Sequence, residues 1–341
     1  MHQFRNDYSE LAHEKILKAL TKYSAEQNVA YGLDYHSENA ANLIKEKFGA
    51  KDGAVYFLAG GTVTNLVAIS YFLRPYEAIL CAEIGHINVH ETGAVEGSGH
   101  KIFTRKGKEG KLYPNDVIEA LKFNCDEHMV KIKMVYISNS TEIGTIYNRK
   151  ELQDLYKVCR ENNLLLFIDG ARLGSALTSK ENDIDPKEMG SLCDVFYVGG
   201  TKNGFLLGEA LVINNKEIAN DFRHHIKNRG AMLAKGYLLG IEFEAMFEDD
   251  LYFKLAKETN EVADYLKTKL KECGLIINPS PTNQVFCEID KGIGVLIIEN
   301  LGCEKWKDLG DKLSIRFVTS FKTKKEDVDE AVNFIKSVIS K

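Results

Sequence analysis

The stretch Leu164-Leu165-Leu166-Phe167-Ile168-Asp169-Gly170-Ala171-Arg172 decides the fold of this 341-residue chain. Five consecutive apolar residues leave no polar face. Such a segment is buried on both sides, as a strand in a parallel sheet covered by helices must be. Residues 54–58, 78–81, 132–137 and 195–198 form further runs of this kind, separated by loops or helical stretches such as 62–73, 114–123 and 149–161. The expected architecture is therefore α/β, with a doubly wound, mostly parallel sheet. Upstream, residues 9–27 carry Leu11, Ile16, Leu17 and Leu20 at helical spacing. Residues 37–48 repeat the pattern with Ala40, Ala41, Leu43, Ile44 and Phe48, behind Ser37 as candidate N-cap.

The composition changes near residue 245. A long helical pattern runs from there to about 272, followed by expected strands at 274–278, 284–289, 294–298 and 314–319 and a last helix at 325–339. This order assigns residues 1–245 to a large domain with an N-terminal arm. Residues 246–341 form a smaller α+β domain with antiparallel pairing.

Charge and composition remove whole classes of function. Lys plus Arg number 44 against 49 Asp plus Glu, so no basic excess exists for nucleic-acid binding. No apolar run reaches the roughly 20 residues of a membrane span, and the polar opening residues do not have the pattern of a secretory leader. Seven cysteines without a CxxC pair fit reduced thiols in a cytoplasmic protein. His86 and His90 are four apart but lack a third ligand at a recognised offset, so no metal site is expected.

In open α/β sheets ligands sit beyond the carboxyl ends of the strands. After 54–58 comes Ala59-Gly60-Gly61-Thr62-Val63-Thr64-Asn65, opening a helix. Its glycines allow backbone N–H groups to approach a phosphate, and the helix start adds partial positive charge. Taken alone, the segment reads equally as a plain turn. Asp169 stands at the tip of a buried strand and needs a partner there, for which Arg172 is the nearby candidate. The next strand leads into Gly199-Gly200-Thr201-Lys202-Asn203-Gly204. An aspartate at one strand tip and a lysine at the next match the two anchors of pyridoxal 5'-phosphate. The lysine forms the Schiff base, and the aspartate keeps the pyridine nitrogen protonated.

With these residues in place, the chain resembles the threonine aldolase branch of the β-eliminating lyase superfamily, whose members are fold-type-I pyridoxal-phosphate enzymes. The resemblance extends from Phe4-Arg5-Asn6-Asp7 to Ser314-Ile315-Arg316-Phe317-Val318-Thr319, and the Asp-Gly-Ala-Arg tetrad at 169–172 is its most specific element. It implies that Lys202 carries the cofactor, Asp169 meets the pyridine nitrogen and His86 stacks on the ring. Gly61, Thr62 and Thr201 then surround the phosphate. Arg172 and Arg316 grip the substrate carboxylate, and Asn6 stands where a serine often assists. Tyr31, in a Tyr-Gly-x-Asp segment, and Arg229 reach the site of a neighbouring subunit in a homodimer or homotetramer. The implied reaction is cleavage of the Cα–Cβ bond of a β-hydroxy-α-amino acid, threonine giving glycine and acetaldehyde. The chain departs from the family where Glu-Asn-Thr-His is common. Here Ser138-Asn139-Ser140-Thr141-Glu142 places Thr141 at the position of the substrate-contacting histidine, with one residue inserted. That departure keeps open a β-eliminating lyase or another amino-acid reaction on the same cofactor. A non-catalytic binding protein has no need of Lys202 and Asp169.

Overall fold

The computed structural model describes residues 1–340. A seven-stranded sheet is built from β1 (Ala54–Leu58), β2 (Glu77–Ala82), β3 (Lys101–Arg105), β4 (Lys131–Ser138), β5 (Leu165–Asp169), β6 (Val195–Gly199) and β7 (Glu209–Ile213). Its order is β1-β7-β6-β5-β4-β2-β3. Only β7 runs against its neighbours, so β1 points the same way as β4, β5 and β6. The end of β1 and the tips of β5 and β6 thus open on one side of the sheet. Side chains alternate between two buried faces. Leu166, Ile168, Phe196 and Val198 enter one core, while Met134, Tyr136, Phe167, Val195 and Tyr197 enter the other. The second face is covered by the helix Gly61–Phe72, through Val67, Ala68 and Ile69.

A second sheet, ordered β10-β11-β9-β8, is antiparallel throughout and comprises β8 (Ile276–Asn278), β9 (Gln284–Asp290), β10 (Glu304–Asp308) and β11 (Lys312–Val318). Its core is separate and includes Phe4, whose N–H donates to the Leu301 carbonyl and whose carbonyl accepts from Val318 N–H, both at 2.9 Å. The first residues of the chain therefore pack with the C-terminal sheet. The helix Leu251–Glu272 divides its side chains between cores, with Tyr252 and Leu255 in the large one and Ala263, Leu266 and Leu270 in the small one.

Several expectations need correction. Residues 294–298 lie inside the helix Lys291–Leu301, not in a strand. The apolar run Gly-Ile-Gly-Val-Leu-Ile-Ile buries one stripe, Gly294, Ile297 and Leu301, while Val295 and Leu296 stay exposed. The Asp290 carboxylate caps the helix start through Gly292 N–H at 2.9 Å. Asp34, not Ser37, caps Tyr35–Lys47, accepting from Ser37 N–H at 2.9 Å. The long helical pattern after 245 breaks between Tyr237–Phe247 and Leu251–Glu272, where Asp250 takes φ +55°. Strands β3, β7 and β10 lie where no strand was expected. No helix of the described residues is long and apolar enough to cross a membrane.

Candidate active site

The two-residue period of a strand puts Tyr136, Asp169 and Tyr197 on the same face of the sheet, because Phe167 pairs with Tyr136 on one side and with Val195 on the other. Asp169 is buried, and its carboxylate meets four donors. The Tyr136 and Tyr197 hydroxyls donate at 2.5 Å each, Ala171 N–H at 3.0 Å and the Asn65 amide at 3.1 Å. Burial pushes the Asp169 carboxyl up, but the adjacent His86 and the bonds from Tyr136, Tyr197 and Ala171 hold it below the ordinary carboxylate value. Asn65 projects from the helix Gly61–Phe72 and also donates to Glu91 at 2.7 Å. Glu91 in turn bonds His86 Nδ1 at 2.8 Å. A chain of hydrogen bonds thus orients His86 from a buried glutamate five residues on, a position that the sequence alone left open between this role and an ordinary surface glutamate.

Lys202 is placed by the loop that joins β6 to β7. Thr201 N–H donates to the Gly208 carbonyl and Thr201 Oγ1 accepts from Gly208 N–H, both at 3.1 Å, while Gly200 N–H donates to Glu209 at 2.9 Å. A Cβ on Gly199 would stand 2.4 Å from the Ala171 carbonyl, and one on Gly200 2.6 Å from the Gly208 carbonyl. These glycines make room for protein backbone, not for a ligand. Burial and the Arg172 charge lower the Lys202 ammonium below its usual value, against the pull of Asp7, Asp169 and Glu209. Burial raises the Glu209 carboxyl.

A cavity of about 300 Å3 brings Lys202, Asp169, His86 and Thr201 together with Gly61 and Thr62. Here the helix Gly61–Phe72 begins without a side-chain cap, and its first internal bond is Thr64 N–H to the Gly60 carbonyl. The N–H groups of Gly61, Thr62 and Val63 have no backbone partner among the described residues. A Cβ on Gly60 would meet no atom within 4 Å. An uncapped helix start beside open space, with two threonine hydroxyls, fits a phosphate. The lysine and the four-donor carboxylate fit an aldehyde-bearing pyridine.

A second cavity of about 280 Å3 shares Tyr8, His86 and Lys202 with the first and adds Arg172, Arg316 and Glu142. The two arginines differ. Arg172 does not pair with Asp169; its Nε and Nη2 reach the buried Asp7 at 2.7 and 3.0 Å. Asn283 Nδ2 completes that carboxylate at 2.9 Å. Arg316, on β11, donates through Nη1 to Gln284 at 3.0 Å and through Nη2 to Glu304, while its Nε is buried without a partner. Its guanidinium lies 5.1 Å from the centre of the Trp306 ring.

Four expected residues line neither cavity. Asn6 accepts from Tyr8 N–H and the Ser9 hydroxyl, and lines neither cavity; Asp7 and Tyr8 are the site residues of that segment. Thr141 is buried, with its hydroxyl against Thr145 Oγ1 at 2.7 Å, and Glu142 takes the place at the cavity. Tyr31 lines a different pocket, under Lys227 at 4.7 Å, and Arg229 is exposed. Glu142, Glu304 and Trp306 come to the site from loops and an edge strand where composition carries no signal. Tyr136 and Tyr197 were legible in principle, as hydroxyls inside otherwise apolar strands.

Comparison with known proteins agrees with this geometry. The model of the family described as beta-eliminating lyase matches residues 3–291. A low-specificity L-threonine aldolase of Pseudomonas sp. (strain NCIMB 10558) is 30% identical, over 99% of this chain and 98% of its own. A Leishmania major threonine aldolase structure superposes with a TM-score of 0.97 at 42% identity, covering 99% of this chain and all of its own. An aspartate aminotransferase from Thermus thermophilus shares the fold alone, with a TM-score of 0.72 at 14% identity over 97% of this chain and 89% of its own. The strand-tip aspartate and lysine thus lie within a segment that the family model spans almost from its start, and the chain belongs to the beta-eliminating lyase family.

Proposed function

We propose that the chain is a pyridoxal 5'-phosphate-dependent aldehyde-lyase that cleaves a β-hydroxy-α-amino acid, with threonine yielding glycine and acetaldehyde. One observation carries the reading. A half-buried lysine and a four-donor carboxylate share a cavity with an uncapped helix start, and a second cavity bearing two arginines shares Tyr8, His86 and Lys202 with it. The relatives named threonine aldolase support the choice of reaction. When bound, the cofactor would supply an electron sink for a Cα bond of the substrate. Lys202 would hold it covalently. Asp169 would meet the ring nitrogen, and His86, oriented by Glu91, would pack against the ring. The N–H groups of Gly61 to Val63 and the hydroxyls of Thr62 and Thr201 hold the phosphate. The guanidinium of Arg316, which lines the second cavity, binds the substrate carboxylate, with Arg172 beside it, and so selects the Cα–Cβ bond for cleavage.

The reading includes a cytoplasmic homo-oligomer in which Tyr31 serves a neighbour. Tyr31 lies outside the two cavities that Lys202 lines, and Val29, Leu33 and Tyr35 are exposed around it in sequence. The test is to load the purified protein with cofactor, reduce it with borohydride and map the modified peptide, then assay a panel of amino acids. The reading expects the label on Lys202, and glycine with aldehyde as products. A label on another lysine overturns the site, and pyruvate with ammonia would assign the chain to β-elimination.

A further inference from the structure

Glu142 stands out as a carboxylate at the second cavity that no cation neutralises. The loop after β4 turns Thr141 away, through Thr141 N–H to the Thr145 carbonyl at 2.9 Å as well as the hydroxyl contact. The next side chain is thereby delivered to the cavity, which Thr141 does not line. Its Oε1 is anchored twice, by the Ser138 hydroxyl at 2.6 Å and by His86 N–H at 2.9 Å. Oε2 receives no hydrogen bond from another described residue, and the side chain lines the cavity. Arg172, Lys202 and Arg316 line the same space, yet none forms an ion pair with it. The carboxylate is held by bonds from a strand end and a helix start, with one oxygen left without a donor from another described residue.

We infer that Glu142 receives the β-hydroxyl of the substrate and takes its proton as the Cα–Cβ bond breaks, an inference that rests on the function proposed above. The bookkeeping of atoms closes without an outside reactant. The hydroxyl proton moves to Glu142 Oε2, and the electrons of the O–H bond form the carbonyl of the departing aldehyde. The Cα–Cβ pair stays on Cα. Glu142 releases its proton to water after the aldehyde leaves, and Cα takes one from water to complete glycine. His86 is the rival base in this cavity, but its Nδ1 is committed to Glu91 and its ring also lines the cofactor cavity. Glu142 lines only the substrate side. Burial raises the Glu142 carboxyl above its ordinary value, against the bond from Ser138, which moves it toward the range useful for a base at neutral pH.

Two reactions of the same holoenzyme separate a base from a structural prop. Cleavage of threonine needs a group for the β-hydroxyl. Exchange of the Cα proton of glycine in D2O, followed by NMR, needs the cofactor and Lys202 but no β-hydroxyl. In Glu142→Gln, kcat for cleavage should fall roughly 10²–10⁴-fold, the range of a positioned acid–base group, while glycine exchange stays at the wild-type rate. Glu142→Asp, which keeps the carboxylate but withdraws it from the cavity, should fall between wild type and Gln. Cleavage retained in Glu142→Gln overturns the inference. So does parallel loss of cleavage and exchange, because it would mean that Glu142 only holds the loop. A wild-type enzyme that exchanges glycine yet cleaves no β-hydroxy amino acid overturns the proposed function itself, an outcome that neither variant can mimic.

Discussion

The cofactor side and the substrate side of the site are built on different terms. On the cofactor side, Asp169 has its four donors, Thr201 is bonded on both its N–H and its hydroxyl, and His86 is tied through Glu91 and Asn65 to the same carboxylate. These groups come from the strands of one sheet, from the segments that follow them or from the helix that covers them. On the substrate side, capacity is left over. Arg316 Nε has no partner, no other described residue donates to Glu142 Oε2, and the pieces come from a loop and from the second sheet with its edge strand. Buried and satisfied groups fix geometry before any ligand arrives, whereas unspent donors and acceptors wait for the ligand to supply partners. One side serves a resident group and the other a molecule that must come and go.

The largest effect should come from disturbing the satisfied side. Asp169→Asn offers one acceptor oxygen and two donors to a place where four donors converge. At least two charge-assisted bonds are lost, at roughly 1.5–3 kcal/mol each. The expected fall in kcat is therefore on the order of 10²–10⁴-fold, with the cofactor still attached to Lys202. Steady-state kinetics with occupancy read by absorbance decide it. Near-normal turnover at full occupancy would mean that the crowding around Asp169 is only packing.

A smaller effect separates the two arginines. Arg316→Lys removes the planar guanidinium that lines the second cavity, so KM should rise about ten- to a hundred-fold, equivalent to roughly 1.5–3 kcal/mol. Its melting temperature should not move. Arg172→Lys breaks a buried two-pronged pair with Asp7 instead, and so should lower Tm together with kcat/KM. Thermal melts beside kinetics of both variants provide the comparison. Identical responses would erase the distinction between a structural and a receiving arginine.

That distinction also marks the limit of what the sequence could disclose. Asp169, Lys202, Gly61 and Thr62 were readable because each follows a buried apolar run, and strand tips in such sheets carry the chemistry. The run 164–168 needs no context to be called a strand. By contrast, the apolar run at 294–298 has no period that separates a strand from one turn of a half-buried helix, and it was misread. The partner of Arg172 lies 165 residues away in sequence. No local pattern could select Asp7 over Asp169, which is three residues distant and meets donors of its own. Position 141 was identified as a departure, but the side chain that reaches the cavity is its neighbour. A one-residue change in a turn decides that, and turn geometry is the least legible part of a sequence.

The smallest effect concerns Glu304, which sits on the edge strand β10 and already occupies one arm of Arg316. If the substrate side is a receiving surface, Glu304 competes with the substrate carboxylate for that guanidinium. Its side chain is 45% exposed, so the pair should be worth only about 0.2–1 kcal/mol. Glu304→Gln should therefore lower KM by up to about five-fold, the factor that corresponds to 1 kcal/mol, with kcat unchanged. Because the pair is partly solvated, salt screens it, and the gap between wild type and variant should narrow as ionic strength rises. A higher KM would carry the opposite meaning: Glu304 would then be holding Arg316 in place over Trp306, and the substrate side would be as preset as the cofactor side.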